Sequence, residues 1–159
     1  MASYPQGSEG SPEAQGPTPP QPAWQSLPAV PPRQLAQVTV EDQDGVAVAT
    51  VSGEVDMSSV TRVAAALTEL SNQSIGLVID LRSVEYLDSS GISLLHDLAL
   101  RLRRRDQILI IVCPAGSPPR RMLELTALDS QADVRDELEP AIQAIRAASE
   151  DGSATDAQI

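Results

Sequence analysis

Hydrophobic positions along the chain switch between two periods. "LAQVTVE" (35–41) alternates apolar and polar residues, the pattern of a half-buried strand. Asp44-Gly45 follows, a pair suited to a tight hairpin because both positions tolerate positive φ. A return strand is expected over Val46–Gly53. In "EVDMSSVTRVAAALTEL" the apolar residues Val60, Val63, Ala64, Leu67 and Leu70 fall at helical spacing, and Asp56 or Ser58 would cap the first turn. "SIGLVIDL" (74–81) and "QILIIVC" (107–113) are nearly continuous apolar runs, as in central strands covered on both faces. Between them Ile92, Leu95, Leu98 and Leu102 mark a second helix. Pro119 suits the first turn of a third, "RRMLELTAL". A short strand is expected at 132–134, and "DELEPAIQAIRAA" closes the pattern as a helix with Leu138, Ile142 and Ile145 on one face.

The order ββαβαβα(β)α specifies an α/β fold: a mixed, mostly parallel sheet packed with helices, its opening hairpin forming an antiparallel edge. In such sheets, sites form at the carboxyl ends of strands. Two strand–helix junctions point there, "GEVDMSS" and "YLDSSGIS", and they are expected to lie close together.

Composition narrows the domain and its class. Residues 1–36 are read as a disordered Pro-rich tail. Nine of the thirteen prolines fall before residue 35, with few large apolar residues to offset ordering entropy. The domain is expected over 37–148 and a flexible tail over 149–159. Net charge is -11, which argues against nucleic acid, whose partners present a basic face. The run Arg101–Asp106, "RLRRRD", reads as a solvated helix end where cations suit the dipole. Lys is absent, and one cysteine, Cys113, allows no internal disulfide. "MASYPQGSEG" has neither a basic start nor an apolar run, and no stretch approaches the ~20 apolar residues of a membrane span. A cytoplasmic protein without membrane association is expected.

The second junction, Asp88-Ser89-Ser90-Gly91, carries the candidate chemistry. Asp88 or Ser89 would cap the following helix, and Gly91 would relieve a tight turn. A nucleophile elbow needs G-x-S-x-G, which D-S-S-G does not supply. The one histidine, His96, follows Ser90 by six residues on the same expected helix, so the two side chains point apart. A phosphate-binding loop needs more glycines and a lysine. Asp56 and Asp88 without a third ligand do not make a metal site. No catalytic residue, metal or cofactor is therefore expected. A phosphate-accepting serine fits better, since free amides and the dipole at a helix N-terminus hold a phosphoryl group. Phosphorylation adds about -1.5 to -2 charges beside Asp88 and Asp56, enough to repel an acidic partner.

Taken together, "VSGEVD", "LVIDLRSVEYLDSSGISLL" and "ILIIVCPAGSPPRRMLELTAL" closely resemble the anti-sigma factor antagonists, stand-alone bacterial members of the STAS domain family. The resemblance implies a STAS-type fold over about 37–146. It implies Ser90 as phosphoacceptor, with Asp56, Asp88, Ser89 and Gly91 on the partner-facing surface. It also implies a cycle. The unmodified chain binds an anti-sigma factor that is a Ser/Thr kinase of the histidine-kinase-like ATPase type, and a sigma factor is released. Phosphorylation ends the contact, and a metal-dependent, PP2C-type phosphatase restores it. The chain would be a binder and a substrate, monomeric when free, and not an enzyme. A STAS scaffold in a stress or transport assembly, without a phosphorylation cycle, is the alternative. Two blocks depart from the family pattern. "RRRDQ" stands where many relatives carry a glycine-containing turn, and "LTAL" (125–128) lacks its usual glycine.

Overall fold

The computed structural model describes residues 32–155 and isolated positions nearer the N-terminus, so the expected tail over 1–36 lies largely outside the described residues. The elements are β1 (Gln37–Gln43), β2 (Val46–Val55), α1 (Val60–Gln73), β3 (Gly76–Leu87), α2 (Ser89–Arg103), β4 (Ile108–Val112), α3 (Pro118–Leu125), a 3-10 turn at Leu128–Ser130, β5 (Asp133–Arg135) and α4 (Leu138–Thr155). They form one five-stranded sheet in the order β1-β2-β3-β4-β5. The β1–β2 pair is antiparallel and the other pairs are parallel, as expected from the alternation of strands and helices.

Period-two alternation explains the continuous apolar runs. Ala47, Ala49, Leu77, Ile79, Leu109 and Ile111 face one side of the sheet and pack with α1, α2 and α3. Val46, Val48, Val78, Ile110 and Val112 face the other side, covered by Ala141, Ile142 and Ile145 of α4. Each central strand is therefore apolar on both faces. The hairpin forms at Asp44 (φ 55) and Gly45 (φ 87), both in the left-handed region. Asp80, inside β3 and only 2% exposed, is matched by Arg82, whose Nε and Nη2 donate to it at 2.9 and 2.8 Å.

Several boundaries differ from the sequence reading. β2 does not stop at Gly53. Glu54 and Val55 pair with Tyr86 and Leu87, so this parallel ladder continues past the glycine. α1 accordingly starts only at Val60, with Ser59 as its cap residue making no side-chain cap bond. β3 runs on through "RSVEYL" because its backbone stays paired to β2, although Glu85 and Tyr86 are exposed. α3 begins one residue earlier than expected, at Pro118, under a Ser117 cap. The domain also begins before 37: Ala36 is fully buried, and the Glu54 amide donates to the Gln34 carbonyl at 2.8 Å. At the other end, α4 passes 148 and reaches Thr155. Ala147 and Ala148 favour helix, and the Ser149 hydroxyl donates back to the Ile145 carbonyl at 2.9 Å. Residues 156–159 lie outside the described residues.

Candidate functional site

The parallel register ends β2 at Val55 and β3 at Leu87 side by side. The next residues, Asp56–Ser59 and Asp88–Ser90, therefore emerge at the same corner. Two hydrogen bonds tie them together. The Asp88 amide donates to the Val55 carbonyl at 3.1 Å, and the Met57 amide donates to Asp88 Oδ2 at 3.2 Å.

Asp88 caps α2. Its Oδ1 accepts from the amides of Ser90 (2.9 Å) and Gly91 (3.1 Å) and from the Ser90 hydroxyl (2.5 Å). Burial pushes the carboxyl up. The Ser90 hydroxyl and the three amides outweigh this and hold it below the ordinary carboxylate range. Ser89 is the first helical residue and not the cap; it is exposed. Ser90 is half-buried, its Oγ fixed by Asp88. Gly91 does not relieve a turn. It is buried, and a Cβ there would stand 2.5 Å from Leu87 Cδ1 and 3.0 Å from Val55 Cγ1, so its bare backbone is what lets α2 approach β2 and β3.

Asp56 organises the other junction. Its Oδ1 accepts from the Ser58 hydroxyl (2.6 Å) and from the amides of Ser58 (2.9 Å) and Ser59 (3.2 Å). These bonds, the Ser58 hydroxyl first, hold its carboxyl below the ordinary range. Asp56 thus caps the turn before α1, not the first turn of α1 itself.

Two open grooves flank Asp88. One, of about 470 Å³, runs between the end of β3 and the start of α3, lined by Tyr86, Asp88, Ser89, Gly116, Arg121 and Met122 among others. The other, of about 450 Å³, is lined by Arg33, Glu54, Asp56, Met57, Tyr86 and Asp88, among others. Met57 is 80% exposed and Tyr86 52% exposed. Large apolar side chains held out beside fixed carboxylates suit a protein-binding surface.

The structure brings Asp56, Asp88, Ser89 and Ser90 to one corner and places Gly91 beneath it. His96 faces away, its Nδ1 3.1 Å from Gln131 Oε1. Tyr86, Met57 and Arg33 were missed by the sequence reading. The first two carried a signal, as the domain's one aromatic residue and the one large apolar side chain inside "VDMSS".

The STAS domain family model matches residues 37–141. The anti-sigma-F factor antagonist RsfB of Mycobacterium tuberculosis is 31% identical over 110 residues, covering 69% of this chain and 88% of RsfB. A crystal structure of an anti-sigma factor antagonist from Mycobacterium paratuberculosis superposes with a TM-score of 0.61 at 34% identity, over 70% of this chain and 94% of that one. The antagonist SpoIIAA in its unphosphorylated form shares the fold, with a TM-score of 0.57 at 20% identity over 69% of this chain and 98% of its own. With the matched length, the sequence identity and the fold in agreement, the chain belongs to the STAS domain family of anti-sigma factor antagonists.

Proposed function

We propose that this chain binds an anti-sigma factor through the Asp56–Asp88 corner and that phosphorylation of Ser90 ends the contact. The observation that carries the reading is the Ser90 hydroxyl. It belongs to a half-buried serine, is held in one orientation by Asp88, and stands at the corner whose grooves are lined by the exposed Met57 and Tyr86. The partner is an anti-sigma factor with a Ser/Thr kinase domain of the histidine-kinase-like ATPase type, and binding it frees a sigma factor. The kinase transfers the γ-phosphoryl group of ATP. The Ser90 Oγ–P bond forms, the bond to the β-phosphate oxygen breaks, ADP leaves and the hydroxyl proton is lost. A PP2C-type phosphatase hydrolyses the ester and resets the chain, which acts as binder and substrate and is monomeric when free.

The energetics suit a switch. Each unit-charge pair at 4–6 Å and an effective dielectric near 20 is worth about 3–4 kcal/mol, and exposure and salt reduce this. A residual of about 2 kcal/mol still changes affinity roughly thirtyfold. The test is phosphopeptide mapping of the chain recovered with its partners from its native cells. Phosphate on Ser90 together with a co-purifying ATPase-type kinase is the expected result. Phosphate only elsewhere, with no such kinase across growth and stress conditions, would replace this reading with the scaffold alternative.

A further inference from the structure

The amides expected to receive a phosphoryl group are already in use. Those of Ser90 and Gly91 both donate to Asp88 Oδ1. Phosphorylation replaces the hydroxyl proton that Asp88 accepts by a phosphoryl group with about two negative charges, and Oγ becomes the ester oxygen. The 2.5 Å hydrogen bond is lost, and Asp88 repels what takes its place. The phosphoryl group must turn outward, and its stability then depends on which cation the corner supplies.

The chain carries one there by an unusual route. Residues 33–36 lie along the end of β2 as a strap. The Glu54 amide donates to the Gln34 carbonyl at 2.8 Å, and Leu35 pairs with Glu54 in a β-bridge. Ala36 is fully buried, and the Arg62 guanidinium donates to its carbonyl at 2.8 Å. Gly53 makes the seat. Its φ is +83, and a Cβ there would stand 2.7 Å from the Gln34 carbonyl oxygen. Seated this way, the strap ends with Arg33 over the corner, Nε 3.7 Å from Glu54 Oε2 and Nη1 3.9 Å from Asp56 Oδ2. Among the residues lining the groove that Arg33 shares with Asp88, it is the one cation facing three carboxylates. These long, exposed pairings hold Arg33 weakly, so it is free to turn to a stronger anion.

We propose that Arg33, held over the corner by the strap, is the chain's own counter-charge for a phosphoryl group on Ser90. This rests on the reading of Ser90 as phosphoacceptor. Arg33 and the phosphoryl group then pair in a charge-assisted contact, and the state of the switch is transmitted to the segment leading into the N-terminal arm.

The test is a ³¹P NMR titration of the full chain with phosphoserine installed at position 90 during translation, in otherwise wild-type protein and with Arg33→Gln or Arg121→Gln. Arg121 lines the opposite groove and serves as the competing cation. Asp56 and Asp88 are both held below the ordinary carboxylate range and so keep their charge through the second phosphate ionisation, and His96 lies against Gln131. Arg33→Gln is expected to raise that second pKa by about 0.5 unit or more, with little change from Arg121→Gln. An unchanged value on Arg33→Gln, or a shift that follows Arg121 instead, overturns the proposal. Installing the phosphate removes any need for a kinase, so this result stands apart from the mapping experiment that tests Ser90 as the cellular acceptor.

Discussion

Replacing Gly53 by alanine should cost two separable amounts. The first is backbone strain: at φ +83 an alanine pays roughly 1–2 kcal/mol relative to an ordinary conformation. The second is steric. The new methyl would stand 2.7 Å from the Gln34 carbonyl oxygen and 3.1 Å from that of Leu35, both backbone atoms with no side-chain torsion to move them. The strap can relieve the clash only by lifting. Lifting breaks the Glu54–Gln34 hydrogen bond, worth about 1 kcal/mol net. It also exposes the buried Ala36 methyl, worth about 0.8 kcal/mol. The sum is a loss of about 3 kcal/mol, which urea unfolding measures directly. Gly45→Ala is the matched control. Its φ is +87, yet the nearest atom to an added Cβ is Ile75 Cδ1 at 3.8 Å, so it should show the strain cost alone, about 1–2 kcal/mol. Amide hydrogen exchange at Glu54 reports the strap itself and should accelerate in Gly53→Ala and not in Gly45→Ala. Equal losses in the two variants, or an unchanged Glu54 exchange rate in Gly53→Ala, would refute the reasoning.

Three further outcomes follow from the same geometry. Asp88 has a folded-state carboxyl below its unfolded value, so its ionised form stabilises the fold above about pH 4, and that contribution is lost as pH falls through the folded value. The stability gap between wild type and Asp88→Asn, followed by urea unfolding from pH 6 down to pH 2.5, should therefore narrow on acidification; a constant gap would contradict the assignment. Ala127 sits at φ 54 with an exposed side chain, so Ala127→Gly should gain about 0.5–1 kcal/mol in urea unfolding, while a loss would mean that its methyl packs usefully. Burial pushes the Cys113 thiol up, so a colorimetric disulfide reagent at pH 8 should label it only as fast as the chain unfolds, and immediate labelling would show an open route to it.

The fold was legible because both signals that encode it are strong here. Apolar runs such as "LVIDL" and "ILIIV" occur where a strand is covered on both faces, and the 3.6-residue spacing of Ile92, Leu95, Leu98 and Leu102 matches residues that are all buried. The corner was legible through Asp56, Asp88 and Ser90 because capping chemistry is local in sequence. What escaped was set by tertiary contact. β3 extends through the polar "RSVEY" because a neighbouring strand pairs with it, which no local pattern reports. The strap falls at the end of a Pro-rich segment and is fixed by a glycine some twenty residues away, so neither end announces the other. Gly91 looked like a turn residue because glycine usually is, whereas its role is close packing beneath the Asp56–Asp88 corner.

The two departures from the family pattern have a common physical meaning. In "RRRDQ" Asp106, in the turn after α2 ends at Arg103, has φ 54, and in "LTAL" Ala127 also has φ 54. The backbone takes the left-handed conformation at both places without a glycine. Each position therefore carries roughly 1 kcal/mol of strain that a glycine would not. Asp106 closes the far end of the helix whose N-terminus Asp88 caps, where the Gln107 amide still returns to the Leu102 carbonyl at 2.9 Å. Ala127 leads into the turn carrying the fully buried Leu128. In both cases the surrounding contacts hold a conformation that the local residue disfavours. Glycine stands at Gly53 and Gly91, positions next to the corner where a Cβ would meet another part of the chain at 2.7 Å or less. Left-handed strain can be absorbed by a stable core, whereas a clash at the corner would displace the strap or tilt α2 and move Ser90 with it. At Gly53 and Gly91 the requirement is therefore space for an approaching part of the chain, whereas Asp106 and Ala127 show that a left-handed φ by itself does not demand glycine.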